Sequence, residues 1–215
     1  MSNETPISSS AANAAPAIAD AVLDRQRTFR LTLQAMARPG LIAEVDAREA
    51  APEPMAAASA ALALTLFDDD TPVWLDAAAA TEPVREFLSF QCGCPIIDDP
   101  QQAAFALAAG DTPSLHDFAV GTDEFPESST TVILQVDRLA AGREVILSGP
   151  GIDGTASIAD PGLPAALWRE WAELSALYPC GVDLILVHGR SLCCLPRTVR
   201  VLKEQSAGNN EQNGA

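Results

Sequence analysis

The most constraining feature of the sequence is an almost unbroken apolar run, rich in β-branched residues, over positions 131–136. A second run of the same kind covers positions 145–147. A strand with one solvated face alternates polar and apolar residues, whereas a strand covered on both faces is continuously apolar. The two runs therefore predict buried strands.

The first ordered segment has the periodicity of a helix. Val22, Phe29, Leu33 and Met36 recur at the spacing of one helix face, which predicts an amphipathic helix with these residues on its apolar side. The Arg-Pro-Gly motif at 38–40 should end that helix, because proline cannot continue the hydrogen-bond ladder.

Helices and strands are interleaved along the rest of the chain, and this order is typical of a single α/β domain with a mixed β-sheet flanked by helices. Further helices are predicted over 55–66, 82–90 and 163–177. Further strands are predicted over 41–45, 73–75, 96–97, 104–107, 183–187 and 191–195, the last two joined by a tight turn near 189–190.

The two ends of the chain have the composition of disordered segments. Residues 1–16 are rich in Ser, Ala, Asn and Pro, and residues 206–215 consist mostly of Gly, Asn, Gln and Ala. We therefore expect one domain over 17–205. The start lacks the basic region and apolar run of a secretory signal, so we expect a cytoplasmic protein. The nearly apolar stretch at 55–67 is shorter than the roughly 20 residues that span a bilayer, so no membrane segment is expected.

The charge of the chain disfavours two classes of partner. The formal net charge is -16, from 29 acidic and 13 basic residues. Such a field repels nucleic-acid phosphates and anionic lipid headgroups. All but one of the basic residues are arginine, whose planar fork suits fixed contacts to carboxylate or phosphate, although a GC-rich genome would also produce this composition.

The five cysteines are an odd number in a reducing compartment, so a disulfide framework is not expected. Cys92-Gly93-Cys94 and Cys193-Cys194 do not have the spacing of zinc ligands, and adjacent residues on a strand point to opposite faces. We expect buried free thiols and no metal site.

Two features of the sequence allow a catalytic or metal-binding interpretation as well as a structural one. His188 should end a strand near Cys193 and Cys194, so a Cys–His pair of a hydrolase is one alternative, although a structural histidine is favoured. The three aspartates at 68–70 could bind Mg²⁺, but they lack the glycine and glutamate of a calcium loop, and a turn is favoured. We assign no catalytic residue.

A third alternative is a small-anion binding module. Arginines at three separate positions could gather at a cleft beside the acidic loop and bind a phosphate-like group. The candidate residues for anion binding or for a subunit interface are Arg27, Arg30, Asp68, Asp70 and Arg197.

No cofactor is expected in this chain. The Gly-Pro-Gly turn at 149–151 lacks both the dinucleotide-binding pattern and the lysine of a phosphate loop. Pyridoxal phosphate chemistry needs a buried lysine for its Schiff base, and the only lysine, Lys203, lies close to the C-terminal tail.

Eight short blocks between about Arg25 and Val201 resemble, in the same order, the blocks of the PhnH family. They cover 27–30, 35–40, 64–75, 133–136, 142–143, 147–152, 181–186 and 195–198. The combination is far more specific than any single block. The chain departs from the family pattern in its two ends, in the segment 118–129 and in its cysteines.

The resemblance implies a subunit of the carbon-phosphorus lyase core complex, which would contain PhnG, PhnI and PhnJ and work with PhnL. That pathway joins an alkylphosphonate to ribose with ATP before the carbon-phosphorus bond is cleaved. ATP, S-adenosylmethionine and the iron-sulfur cluster would then belong to partner subunits. The resemblance also implies a homodimer when isolated, and a fold like the large domain of pyridoxal phosphate transferases without the cofactor.

Overall fold

The computed structural model describes residues 14–47, 50–140 and 144–204. Its helices are α1 (Ala14–Ala37), α2 (Ala57–Leu66), α3 (Glu82–Gln91) and α4 (Ala165–Ser175). Its strands are β1 (Ile42–Glu44), β2 (Val73–Leu75), β3 (Ile96–Ile97), β4 (Phe105–Ala108), β5 (Thr131–Gln135), β6 (Glu144–Ser148), β7 (Ala156–Ala159), β8 (Asp183–His188), β9 (Ser191–Leu195) and β10 (Arg200–Glu204).

The central sheet has seven strands in the order β1-β9-β8-β5-β4-β2-β3. The pairs from β3 to β8 are parallel, whereas β9 pairs antiparallel with both β8 and β1. A smaller antiparallel sheet has the order β10-β6-β7. The predicted single α/β domain with a mixed sheet flanked by helices is confirmed.

The core lies in two layers, one on each face of the central sheet. Ile133 and Ile185 belong to the layer that contains residues of α1, α2 and α3. Their neighbours Val132 and Leu184 belong to the opposite layer, with residues of α4, β6 and β7. Successive residues of β5 and β8 are thus buried on opposite faces, which explains why these strands have continuous apolar sequences.

The strand predicted at 145–147 lies in the smaller sheet rather than in the central one. Val145 and Leu147 are buried there, whereas Ile146 is only partly buried. Its partners β7 and β10 were not predicted. The sequence of β7, Ala-Ser-Ile-Ala, has little strand propensity. β10 occupies the position immediately before the C-terminal tail, and its Lys203 pairs with Ile146 in the ladder.

Helix α1 is present, but three of the four residues on its predicted apolar side face outward, and only Met36 packs against the core. Val22, Phe29 and Leu33 are 54%, 45% and 52% exposed. The most deeply buried positions of α1 are small residues, among them Thr28 and Ala35, with Leu31 partly buried beside them. Small side chains let a helix approach its neighbours closely, and α1 contacts α2, β9 and β1.

The predicted disordered ends lie mostly outside the described residues. Helix α1 begins at Ala14, so only the end of segment 1–16 is described, and segment 206–215 lies outside altogether. Within the described parts of the chain, no helix is long and apolar enough to cross a membrane.

Candidate functional site

The parallel strands follow the order β3-β2-β4-β5-β8, so the chain reverses direction across the sheet between β2 and β4. Doubly wound sheets bind ligands beyond the carboxyl ends of the strands at this reversal. Here Asp76 follows β2, and its two carboxylate oxygens accept hydrogen bonds from the backbone amides of Ala79 (2.7 Å) and Gly110 (2.9 Å). A Cβ at position 110 would lie 2.5 Å from the Cβ of Ala78. The chain's own loops therefore occupy this position.

A largely buried ion pair joins β8 to the segment after β9. The guanidinium of Arg197 donates to both carboxylate oxygens of Asp183, and the Arg197 backbone amide donates to the same carboxylate at 2.7 Å. The remaining guanidinium nitrogen donates to the carbonyl of Pro126 at 2.7 Å, and Ser129 accepts a further hydrogen bond. The side chains of Arg197 and Asp183 are only 15% and 18% exposed. Arg197 thus holds three chain segments together: its own, the start of β8 and the loop at 126–129.

Gln135, at the end of β5, caps the first turn of α2. Its side-chain oxygen accepts from the backbone amide of Ala56 at 2.5 Å and from the Ser59 hydroxyl at 3.0 Å. Its side-chain amide donates to the Pro54 carbonyl at 3.0 Å. Residue 56 has no side chain that could cap the helix, so Gln135 supplies the acceptor from across the fold.

The Gly-Pro-Gly turn packs against the end of α1. Gly151 has a φ of +83°, and a Cβ there would lie 2.2 Å from the carbonyl oxygen of Ala37. Only glycine allows both this conformation and this approach. The turn predicted at 149–151 is present, and Gly151 allows it to pack against α1.

The anion-site candidates lie in different surroundings. Arg27 is 62% exposed on α1 and forms an ion pair with Asp24 at 3.0 Å. It lines a shallow groove with Glu44, whereas Arg197 lines another groove with Arg200 and Tyr178. Arg30 is exposed on the same helix as Arg27.

The two acidic candidates belong to a turn. The carboxylate of Asp68 accepts hydrogen bonds from the backbone amide of Asp70 (3.2 Å) and from the hydroxyl of Thr71 (2.5 Å). Both aspartates are near the surface, in the loop between α2 and β2. This local hydrogen bonding favours the turn interpretation. Within the described ranges, no three His, Cys, Asp or Glu side chains are grouped to hold a metal ion.

The geometry disfavours the Cys–His hypothesis. Cys193 and Cys194 are completely buried, and burial raises the pKa of the Cys193 thiol to about 11 and that of Cys194 further. A nucleophilic cysteine needs a depressed pKa. The exposed His188 directs its Nδ1 to the carbonyl oxygen of Val136 at 3.0 Å, and its ladder partner is Ser191. Cys94, Cys193 and Cys194 are buried free thiols, as predicted, whereas Cys92 and Cys180 are only partly buried.

The fold and these contacts define a class of protein: an α/β domain whose residues in the sequence blocks connect its own loops and strands. Gln135, Gly151, Asp183 and Arg197 all fall within the blocks identified from the sequence, and each makes one of these internal contacts. The block at 142–143 lies outside the described residues. The roles of Gln135, Asp183 and Asp76 were not predicted from the sequence. Its one indication of them is a polar residue at or next to the first or last position of a buried strand.

The chain belongs to the family of bacterial phosphonate metabolism proteins called PhnH. The family model matches residues 16–202. The ribose 1-methylphosphonate 5-triphosphate synthase subunit PhnH of Rhizobium meliloti is 38% identical over 190 residues, which cover 87% of this chain and 95% of the relative. A putative C-P lyase subunit protein, HtxG, of Stutzerimonas stutzeri is 32% identical over 210 residues, covering 94% of this chain and 97% of the relative.

Proposed function

We propose that this chain is a non-catalytic or co-catalytic subunit of the carbon-phosphorus lyase core complex, needed for the use of organophosphonates. The observation that carries the proposal is the full-length similarity to two relatives that are both named as subunits, one of a synthase and one of a C-P lyase. The alignments with this chain cover 95% and 97% of the two relatives, so the matched region is nearly all of each named subunit.

The contacts inside the domain support a role in assembly. Asp76 connects the loops at the position where related sheet topologies bind ligands. The guanidinium of Arg197 donates its hydrogen bonds to Asp183 and to neighbouring loops. The phosphonate chemistry would then take place on partner subunits. We propose PhnG, PhnI and PhnJ as those partners, with PhnL, in the cytoplasm, and ATP, S-adenosylmethionine and an iron-sulfur cluster as their cofactors.

Two further properties belong to the proposal. The isolated chain would form a homodimer, and its fold would resemble the large domain of pyridoxal phosphate transferases without that cofactor. Among the candidate residues, we propose Arg27 and Arg30 as interface residues, because both are exposed on α1. Asp68 and Asp70 would form a surface turn, and Arg197 would support the fold.

Co-expression with the partner subunits tests the proposal. The tagged chain should capture the other subunits, and native mass spectrometry should give one assembly that contains all of them. A tagged unrelated acidic protein of similar size is the control. Recovery of the chain alone, while the other subunits assemble without it, would rule out the proposed function.

A further inference from the structure

Exposed apolar side chains are concentrated in one stretch of the chain. In the described part of the chain, eleven large hydrophobic residues are exposed, and six of them lie between positions 22 and 42. We call this surface the α1–β1 face. It consists of Val22, Leu23, Phe29 and Leu33 on α1 and of the free edge of β1. Leu41 precedes β1, and Ile42 lies opposite Cys193 in the ladder, on the sheet face that α1 does not cover.

The α1–β1 face combines a helix side with a sheet edge. Val22, Phe29 and Leu33 are seven and four residues apart, so their side chains follow one side of α1. Among the described strands, β1 is the outer strand of the central sheet and pairs only with β9. An outer strand leaves backbone groups unpaired on its free side. Grouped apolar side chains of this kind mark interaction surfaces on soluble proteins.

The charge of this surface is opposite to that of the whole chain. Residues 22–42 contain four arginines and one acidic residue, Asp24, which forms an ion pair with Arg27 at 3.0 Å, whereas the whole chain has a net charge of -16. All four arginines are exposed, and the three outside this ion pair, Arg25, Arg30 and Arg38, give this part of the surface a positive charge. A partner that fits must present an apolar centre and carboxylates around it.

We infer that the α1–β1 face is the docking surface for a chain of different sequence whose contact area is apolar and rimmed by carboxylates. The inference rests on the proposed function, because it names the surface by which this subunit enters its complex. The inference explains why α1 exposes large apolar side chains, since Val22, Phe29 and Leu33 become buried only when the partner is bound.

A second copy of this chain fits the surface less well. In a two-fold dimer each contact patch meets itself. The positive charge of Arg25 and Arg30 on one α1 would then face the same charge on the other, and like charges oppose association. An anionic membrane would match the arginines, but the net charge of -16 repels it.

Two substitutions in α1 test the inference, each with a matched control. Leu33→Ser removes an apolar side chain that is 52% exposed, and its control is Leu177→Ser, which removes one that is 49% exposed, after α4. Arg30→Glu reverses a charge on α1, and its control is Arg169→Glu on the exposed side of α4. Thermal melting of each purified variant confirms that the fold is retained.

The readout is the amount of the other subunits that the tagged chain captures during co-expression, together with their dissociation constant from the purified complex. We expect Leu33→Ser and Arg30→Glu each to weaken binding about tenfold or more, and the two controls to bind like the wild type. A wild type that captures no partner would refute the proposed function itself.

Three results would overturn the inference while the proposed function stands. The first is capture by Leu33→Ser and Arg30→Glu equal to that of the wild type. The second is a lower mass of the isolated Leu33→Ser or Arg30→Glu protein than of the isolated wild type, measured by light scattering, with capture of the other subunits unchanged. The face would then bind a second copy of this chain. The third is binding of the wild type to phosphatidylserine vesicles that Leu33→Ser abolishes, with capture again unchanged.

Discussion

Replacing Arg197 by alanine should destabilise the domain strongly. The substitution leaves the Asp183 carboxylate without its charged partner and removes the hydrogen bonds to Pro126 and Ser129. Removing one member of a buried ion pair costs about 3–5 kcal/mol. Because Arg197 and Asp183 are 15% and 18% exposed, water can partly solvate the remaining carboxylate. We therefore expect the lower end of that range, about 3 kcal/mol.

Thermal unfolding measures this effect. For a domain of this size, a loss of about 3 kcal/mol lowers the melting temperature by about 6–12 °C. The control Arg169→Ala, on the exposed side of α4, should stay within about 2 °C of the wild type. Asp183→Asn keeps the acceptor for the Arg197 amide but loses the charge, so its melting temperature should fall between the two. An Arg197→Ala protein that melts like the control would show that the pair does not stabilise the fold.

Three other substitutions or reactions test separate features. Iodoacetamide at pH 8 should alkylate Cys193 and Cys194 only slowly in the folded protein and rapidly in urea, because burial raises their pKa; rapid alkylation of the folded protein would contradict this. Gly151→Ala should lower the melting temperature more than Gly154→Ala, because both glycines have positive φ but only a Cβ at 151 meets a backbone oxygen; equal melting temperatures would contradict the packing role. Incubation with pyridoxal phosphate should produce no internal-aldimine absorbance, and a borohydride-reducible adduct at Lys203 would show the opposite.

The central sheet could be predicted because burial on both faces leaves a direct trace in the sequence. β5 and β8 alternate their side chains between two core layers, so both sets of positions must be apolar. The smaller sheet could not be predicted in the same way. β7 has one buried large residue, Ile158, in a four-residue strand, and such a short strand is specified by its partner β6 rather than by its own pattern.

Helix α1 shows where periodicity is insufficient. Its spacing identifies a helix, but hydrophobicity alone assigns Phe29 and Leu33 to the core. The structure buries Thr28, Thr32 and Ala35 instead, and the Thr32 hydroxyl donates to the Thr28 carbonyl at 2.9 Å, so the buried polar groups are satisfied within the helix. A subunit interface and a core-facing side give the same apolar pattern in a sequence.

The residues that connect the loops were also hidden from sequence reasoning. The sequence identifies Asp183 and Gln135 only as members of predicted strands and of the blocks that resemble the family. Their roles depend on partners far along the chain, since Gln135 binds the amide of Ala56 and Asp183 binds Arg197. No local pattern identifies such pairs. Arg197 is a sequence candidate for anion binding, and the anion that it binds in the structure is the carboxylate of Asp183 in the same chain.

Growth of a strain that lacks this gene tests the central claim most directly. The strain should fail to grow with methylphosphonate as the only phosphorus source and should grow normally with phosphate. A plasmid that carries the wild-type gene should restore growth on methylphosphonate. Equal growth of the deletion strain on both phosphorus sources would contradict the assignment of this chain to the carbon-phosphorus lyase complex.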